Sequence, residues 1–261
     1  MWGTKNKIIC ALILIGLAIC SVNQASGQSL KEIASKRVAL PNGWKLSPVG
    51  KLLPLGDLPL NMTLSPSGKL LAVTNNGQSD QGIHLFDTEK MQLLDTIVAT
   101  RSWLGLTFSK DNRYLYASGG NDNWVMRYEI KNNKLAPHDT LVFGKRWPEK
   151  ISIAGIAVDK DQKILYAVTK EDNSLYTFDI KEKKVINRFP LGGEGYTCLL
   201  SNDEKTLFIT CWGCDKVILF DTKKQQFSGW IPVGDNPNDI CVTRNDKFLF
   251  VANANDNSVS V

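Results

Sequence analysis

Apolar runs of four to six residues alternate with polar turns along most of the chain, and the pattern repeats. Five turn signals, at 65–69, 109–113, 159–163, 201–205 and 243–247, precede the same kind of run at spacings of 44, 50, 42 and 42 residues. The runs that follow, 70–74, 114–117, 164–168, 207–210 and 248–251, are rich in β-branched and aromatic residues and read as second strands of a repeating unit. A third strand ends on an acid in four units, at Asp87, Glu129, Asp179 and Asp221, and short polar turns then reverse the chain. A fourth strand, as at 93–98, 185–191 and 226–233, leads to a crossing marked by Gly and Pro, clearest at Gly56-Asp57-Leu58-Pro59 and Gly234-Asp235-Asn236-Pro237. A helical solenoid of this period would need apolar residues every three to four positions over longer stretches. The pattern therefore predicts an all-β fold, a β-propeller of four-stranded blades. Four blades are complete and a fifth is partial, because the last unit stops inside its third strand at 258–261, so an open or incomplete ring is expected.

The first residues depart from this pattern. Lys5 and Lys7, an apolar run of 13 residues over 8–20, and the small residues Ala25 and Gly27 have the order of a secretory signal. The run is too short to cross a bilayer as a helix, which needs about 20 residues. The expected organisation is a signal peptide over 1–27, an N-terminal extension over 28–45 with a short helix across 29–37, and a propeller over 46–261. Export to the periplasm or outside the cell follows. Leu17-Ala18-Ile19-Cys20 offers a competing lipoprotein reading, anchored at Cys20, which bulky Ile19 disfavours.

Composition narrows the function classes. The formal charge is +5 and falls to +3 once residues 1–27 are removed, too mild for nucleic acid. Apolar residues at 43% and aromatics at 9% suffice for a packed core, and no later stretch is long and apolar enough for a membrane span.

Candidate chemistry is sparse. Cys211-Trp212-Gly213-Cys214 has the spacing of a dithiol or half a zinc site. It lies after a strand and not at a helix N-terminus, and Cys198 and Cys241 form no second close pair. A disulfide between Cys211 and Cys214, a redox or zinc role, and ordinary buried thiols all stay open. His84, in a strand, and His138, near a loop, lie on different blades without ligand spacing to an acid or cysteine. No metal or other cofactor is expected in this chain. Propellers take ligands at the end of the channel, where crossings into the inner strands gather. The residues with useful chemistry there are Asp57, Asn61, Arg101, Trp103, Glu194, Tyr196, Asn238 and Asp239. Asn61-Met62-Thr63 matches a glycosylation sequon, but Asn61 begins an inner strand and reads as structural.

The unit consensus resembles the YVTN family of propeller repeats over residues 53–261, best in Phe250-Val251-Ala252-Asn253-Ala254-Asn255-Asp256-Asn257. A narrower resemblance lies in Leu40-Pro41-Asn42-Gly43-Trp44 and in Leu53-Pro54-Leu55-Gly56-Asp57-Leu58-Pro59-Leu60-Asn61, continued by Ala72-Val73-Thr74-Asn75-Asn76-Gly77. These look like the opening of bacterial two-domain proteins in which a YVTN propeller precedes a phosphoesterase domain of the alkaline phosphatase superfamily. That resemblance implies seven blades, and it assigns nucleophile and metal ions to the following domain, so no catalytic residue is carried over to this chain. The implied function is an exported, non-enzymatic module that binds a small molecule or protein, with a C-terminal phosphoesterase domain as its covalent partner. The alternatives are a lactonase-like hydrolase, using Arg101 and acids such as Glu194, and a redox or haem-binding propeller like that of nitrite reductases, which two scattered histidines disfavour. N-terminal sequencing of the exported protein is expected to begin near Gln28; an unprocessed Met1 overturns the signal peptide, and a start at Cys20 favours the lipid.

Overall fold

The computed structural model describes residues 37–47, 51–78, 80–146 and 148–261. The expected signal peptide lies outside these residues, as does the helix expected over 29–37 except for Arg37, which is in neither helix nor strand. Among the described residues no helix is long and apolar enough to cross a membrane. The chain divides into a unit up to Leu52 and one from Leu53 to Val261. The first contains a two-stranded hairpin, β1 (Val38–Ala39) with β2 (Lys45–Leu46), whose turn is closed by the Leu40 N–H donating to the Trp44 carbonyl and by Gly43 at φ +82°.

The second unit is a β-propeller arc. Blade 1 is β3 (Pro59–Leu64), β4 (Leu70–Asn75), β5 (Gly82–Asp87) and β6 (Gln92–Val98). Blade 2 is β7 (Leu106–Phe108), β8 (Tyr114–Ser118), β9 (Trp124–Lys131) and β10 (Lys134–Val142). Blade 3 is β11 (Ile153–Val158), β12 (Ile164–Thr169), β13 (Ser174–Asp179) and β14 (Lys184–Pro190), and blade 4 is β15 (Glu194–Leu200), β16 (Thr206–Trp212), β17 (Lys216–Asp221) and β18 (Gln226–Pro232). Blade 5 has three strands, β19 (Pro237–Val242), β20 (Leu249–Asn253) and β21 (Ser258–Ser260). Each sheet is antiparallel in simple chain order.

The turn chemistry explains why the repeat was visible. The first residue of each turn signal turns its side-chain oxygen back onto the N–H five residues on: Ser65 to Leu70, Ser109 to Tyr114, Asp159 to Ile164, Ser201 to Thr206 and Thr243 to Phe248, at 2.8–3.1 Å. The residue three after it takes positive φ, as at Gly68, Asn112, Gln162, Glu204 and Asp246, so a non-β-branched residue is wanted there. The acids that end third strands accept turn N–H groups: Asp87 from Glu89 and Lys90, Asp179 from Glu182, and Asp221 from Lys223 and Lys224.

The core lies between blades. Tyr116, Val125, Leu141 and Phe143 of blade 2 and the crossing after it meet Ile153, Leu165 and Phe178 of blade 3, with Phe143 stacked on Phe178 at 4.6 Å. Similar layers join blade 1 to 2, 3 to 4 and 4 to 5. Large apolar side chains remain exposed at both ends of the arc, Met62 and Leu64 in blade 1, and Phe248 and Val259 in blade 5.

One polar bolt also ties blade 2 to blade 3. Arg127 makes a two-point ion pair with Asp139 at 2.8 Å, both side chains nearly buried, and Lys183 reaches Asp139 from blade 3 at 3.1 Å. The Tyr114 ring lies under the Arg127 guanidinium at 4.9 Å. His138, expected near a loop, sits inside β10 beside the bulge between Pro137 and Asp139, because the outer strand of this blade runs longer than the pattern suggests. Burial pushes the Asp139 carboxyl up, but the hydrogen bonds from Arg127 and Lys183 and their charges outweigh it and hold it below the usual carboxylate range. A depressed folded value gives stability that is complete above the unfolded carboxyl pKa of about 3.9 and is lost as pH falls below it. Asp139→Asn, which strands a nearly buried guanidinium, is expected to lower unfolding stability by about 3 kcal/mol at neutral pH and to remove part of the acid sensitivity below about pH 4, read by urea titrations across pH.

Candidate functional site

The crossing from blade 2 to blade 3, residues 143–152, is longer than the crossings at 191–193 and 233–236. Its slack is taken up by one residue. Asn123, fully buried at φ +58°, donates from Nδ2 to the carbonyls of Lys145 and Glu149, both at 2.7 Å, and accepts at Oδ1 from the Ser152 N–H at 3.0 Å. The Glu149 carboxylate accepts the Lys145 N–H at 2.7 Å, and a Cβ on Gly144 would collide with it. The shaped crossing forms one wall of a cleft of about 740 Å³. Arg101, from the crossing before blade 2, forms another; Asn121, Asp122 and Glu171 come from the loops between second and third strands, and Lys145, Arg146, Glu149 and Lys150 from the crossing itself.

Asp122 organises the cleft. It is 7% exposed, and its Oδ1 accepts both Arg101 Nη1 at 3.0 Å and Arg146 Nε at 2.8 Å. Arg101 is set there by positive φ (+69°) and by its N–H donating to Gln81 Oε1 at 2.8 Å. The two arginine side chains are 58% and 61% exposed. A guanidinium has five N–H donors, and Asp122 engages one from each arginine. The arrangement thus fixes two cations by a buried anion and turns their outer edges to the cleft, a geometry suited to a carboxylate or phosphoryl group.

The expected channel-mouth residues fall into several groups. Arg101 belongs to the cleft, and a cavity of about 210 Å³ connects it with Trp103, Asn121 and Asp122. Lys170 joins Trp103 to Glu194, its Nζ lying 5.8 Å from the indole centroid and 3.6 Å from the carboxylate. Tyr196 stacks on Trp212 at 5.1 Å, and burial first, then the charge of Asp239, raises its hydroxyl pKa. Asp239 caps the Ile240 N–H at 2.9 Å and, with Asn61, lines a separate cavity of about 520 Å³ on the open side of blade 1. Asn61 donates to the Leu104 carbonyl and ties blade 1 to the strand entry of blade 2. Asn238 contributes its carbonyl, which accepts Thr210 Oγ1 at 3.0 Å. Asp57 accepts the Gln78 N–H and Asn75 Nδ2, closing a loop of blade 1. Asp122, Arg146, Glu149 and Glu171 escaped the sequence reading; the only signal was the 50-residue spacing between the second and third turn signals.

The cysteine motif is not wholly in a loop. Cys211 is buried in β16, while half-buried Cys214 lies in the turn after it. All four described cysteines are free thiols, with Cys198 buried and Cys241 exposed. His84, in β5, faces Thr96 at 3.2 Å, and burial lowers its pKa. Among the described residues, no group of three or more His, Cys, Asp or Glu side chains could hold a metal ion.

Residues 105–194 match the family model described as Lactonase, 7-bladed beta-propeller. That stretch contains every cleft residue named above except Arg101. No curated protein sequence matches the chain. Solved structures match in large number, 1453 chains, so the likeness speaks to the fold and not to one chemistry. Hydrazine synthase of Kuenenia stuttgartiensis is similar with a TM-score of 0.61 at 18% identity, over 78% of this chain and 58% of that one. A functionally unknown protein from Desulfotomaculum acetoxidans DSM 771 is similar with a TM-score of 0.62 at 14% identity, over 77% of this chain and 67% of that one. The chain therefore spans less than two thirds of the hydrazine synthase chain that it matches.

Asn123 is the residue on which the cleft wall rests. Asn123→Ala removes three hydrogen bonds and puts a Cβ without a compensating side-chain bond at positive φ, at a cost of about 3 kcal/mol. Hydrogen exchange is expected to speed up over 143–152 first, and Asn123→Gly is expected to recover only the backbone part of the loss.

Proposed function

We propose that this chain is a β-propeller binding module whose cleft between blades 2 and 3 takes a small anionic molecule. The observation that carries this reading is the buried Asp122 carboxylate holding Arg101 and Arg146 side by side at the cleft wall. Because the arginines are already fixed, an incoming carboxylate or phosphoryl group meets a preorganised pair of donors and loses less entropy than it would on mobile side chains. Lys145 and Lys150 add positive potential around the entrance. Glu149 and Glu171 oppose a ligand charged all over and favour one with an acidic head and neutral, hydroxyl-bearing body.

A lactonase-like hydrolase is the second reading, favoured by the family match over 105–194. In it an arginine polarises the ring ester carbonyl, a cleft carboxylate such as Glu149 or Glu171 directs water at the carbonyl carbon, and the ring C–O bond breaks to give a hydroxy acid. The carboxylate of Glu194, the partner read for Arg101 from sequence, is engaged with Lys170 instead. In the wider setting, the resemblance of residues 40–61 to the opening of propeller–phosphoesterase proteins supports the view that the module is exported and serves a phosphoesterase domain.

Calorimetric titration with carboxylate- and phosphate-bearing small molecules tests the binding reading. The parent chain is expected to bind, and Arg146→Ala or Asp122→Asn to weaken binding about ten- to a hundredfold. Proton release from added lactones is followed on the same preparations. Turnover abolished by Glu149→Gln or Glu171→Gln moves the hydrolase reading to first place, and a folded chain that binds no anion overturns the cleft assignment.

A further inference from the structure

The five turn signals give the blades a common count, and blade 4 departs from the others at two places in it. Ten residues after the first turn residue stand Asn75, Gly119, Thr169, Cys211 and Asn253; thirteen after it stand Gln78, Asp122, Asp172, Cys214 and Asp256. In blade 5 the Asn253 and Asp256 side chains both press on Gly234, where a Cβ would collide with them. In blade 3 Thr169 Oγ1 donates to Asp172. These paired side chains, three residues apart, bind the loop to its surroundings through oxygen and nitrogen. In blade 4 both seats hold thiols, and a Cβ on Gly193 would collide with the Cys211 and Cys214 sulfurs together.

The two thiols are neighbours by construction. The Cys214 N–H donates to the Cys211 carbonyl at 3.2 Å, Gly213 takes φ +71°, and the Gly213 N–H is held by Asn236 Oδ1 at 2.8 Å. Both sulfurs lie 2.7 Å or less from the point a Gly193 Cβ would occupy, and the Cys214 thiol faces the Gly192 carbonyl at 4.0 Å. One ion with metal–sulfur bonds of about 2.3 Å can touch both. Thiols are weak donors and acceptors, so the exchange of an Asn/Asp-type pair for two of them gives up polar ties. What it adds is a pair of soft ligands.

We propose that Cys211 and Cys214 form a two-thiolate site for a soft monovalent cation, Cu(I) or Ag(I), beneath the Gly193 crossing. Thiolate ligands select such ions. Zinc needs four ligands, and no third His, Cys, Asp or Glu joins the pair among the described residues. On binding, each sulfur releases its proton to solvent and forms one bond to the ion; no electron moves. The resulting single negative charge is offset by Lys216 and opposed by Glu194, both of which act on Cys211. Half-buried Cys214 is the entry side.

Anaerobic titration of the reduced full chain with Cu(I), in competition with a chromogenic Cu(I) chelator, tests the site independently of any anion bound at the cleft. One ion per chain is expected at the pair. Cys214→Asp installs the acid that blades 2, 3 and 5 use at this seat, so the blade should keep its fold while Cu(I) affinity falls on the order of a hundredfold; Cys241→Ser, which removes an exposed thiol elsewhere, should leave affinity unchanged. Unaltered uptake by Cys214→Asp, or none by the reduced parent, overturns the proposal.

Discussion

The arc depends on how closely the end of a blade's second strand, with the loop after it, rests on the crossing that enters that blade. Glycine at the crossing makes the approach possible. Gly56 lies against Asn75, Gly193 against Cys211 and Cys214, and Gly234 against Asn253 and Asp256, each so near that a Cβ would collide. The Asn or Asp of the loop that takes positive φ, as at Asn123, Asn173, Asp215 and Asn257, bends the chain back to make this contact. The first strand of each blade is thereby held at a fixed angle to its neighbour, and the apolar layers between blades follow from that spacing.

Two arginine–aspartate arrangements with similar distances serve different ends because their burial differs. Arg127 and Asp139 are both largely withdrawn from water and sit among Tyr114 and Lys183. Their value is mechanical, since each would be costly to leave alone. At Asp122 only the carboxylate is buried, while both arginines stay more than half exposed. A fixed anion with two wet cations is a poor brace and a good receptor, and this asymmetry makes the cleft, not the bolt, the candidate for ligand binding.

Much of the fold was legible because its turns use side-chain oxygens at a constant offset from the strand they start. Ser65, Ser109, Asp159, Ser201 and Thr243 each spend that oxygen on the same backbone donor, and so mark the period in the sequence itself. The site was less legible. Polar residues near crossings, such as Asp57, Asn238 and Asp239, look equally reactive in sequence, yet they cap a loop, offer a carbonyl and cap a strand. Asp239 lies in the bulge between Pro237 and Ile240, which the sequence does not announce, and its carboxylate accepts the Ile240 N–H there. Asp122 could not be singled out because its importance comes from burial and from Arg146, which lies in a crossing without repeat partners.

The long crossing over 143–152 gives the fold a separation of labour. Blade register is set by turns and glycine contacts on either side of it, and Asn123 holds the crossing through carbonyls and one N–H, groups that every residue type but proline provides. The exposed side chains of Lys145, Arg146 and Lys150 are thus free to change without disturbing the sheets, whereas Phe143 and Ile151 belong to the core and the Glu149 carboxylate braces the Lys145 N–H. Such a segment behaves like an exchangeable rim on a fixed frame: one ligand could be traded for another by rewriting Lys145, Arg146 and Lys150, with the frame left as it stands.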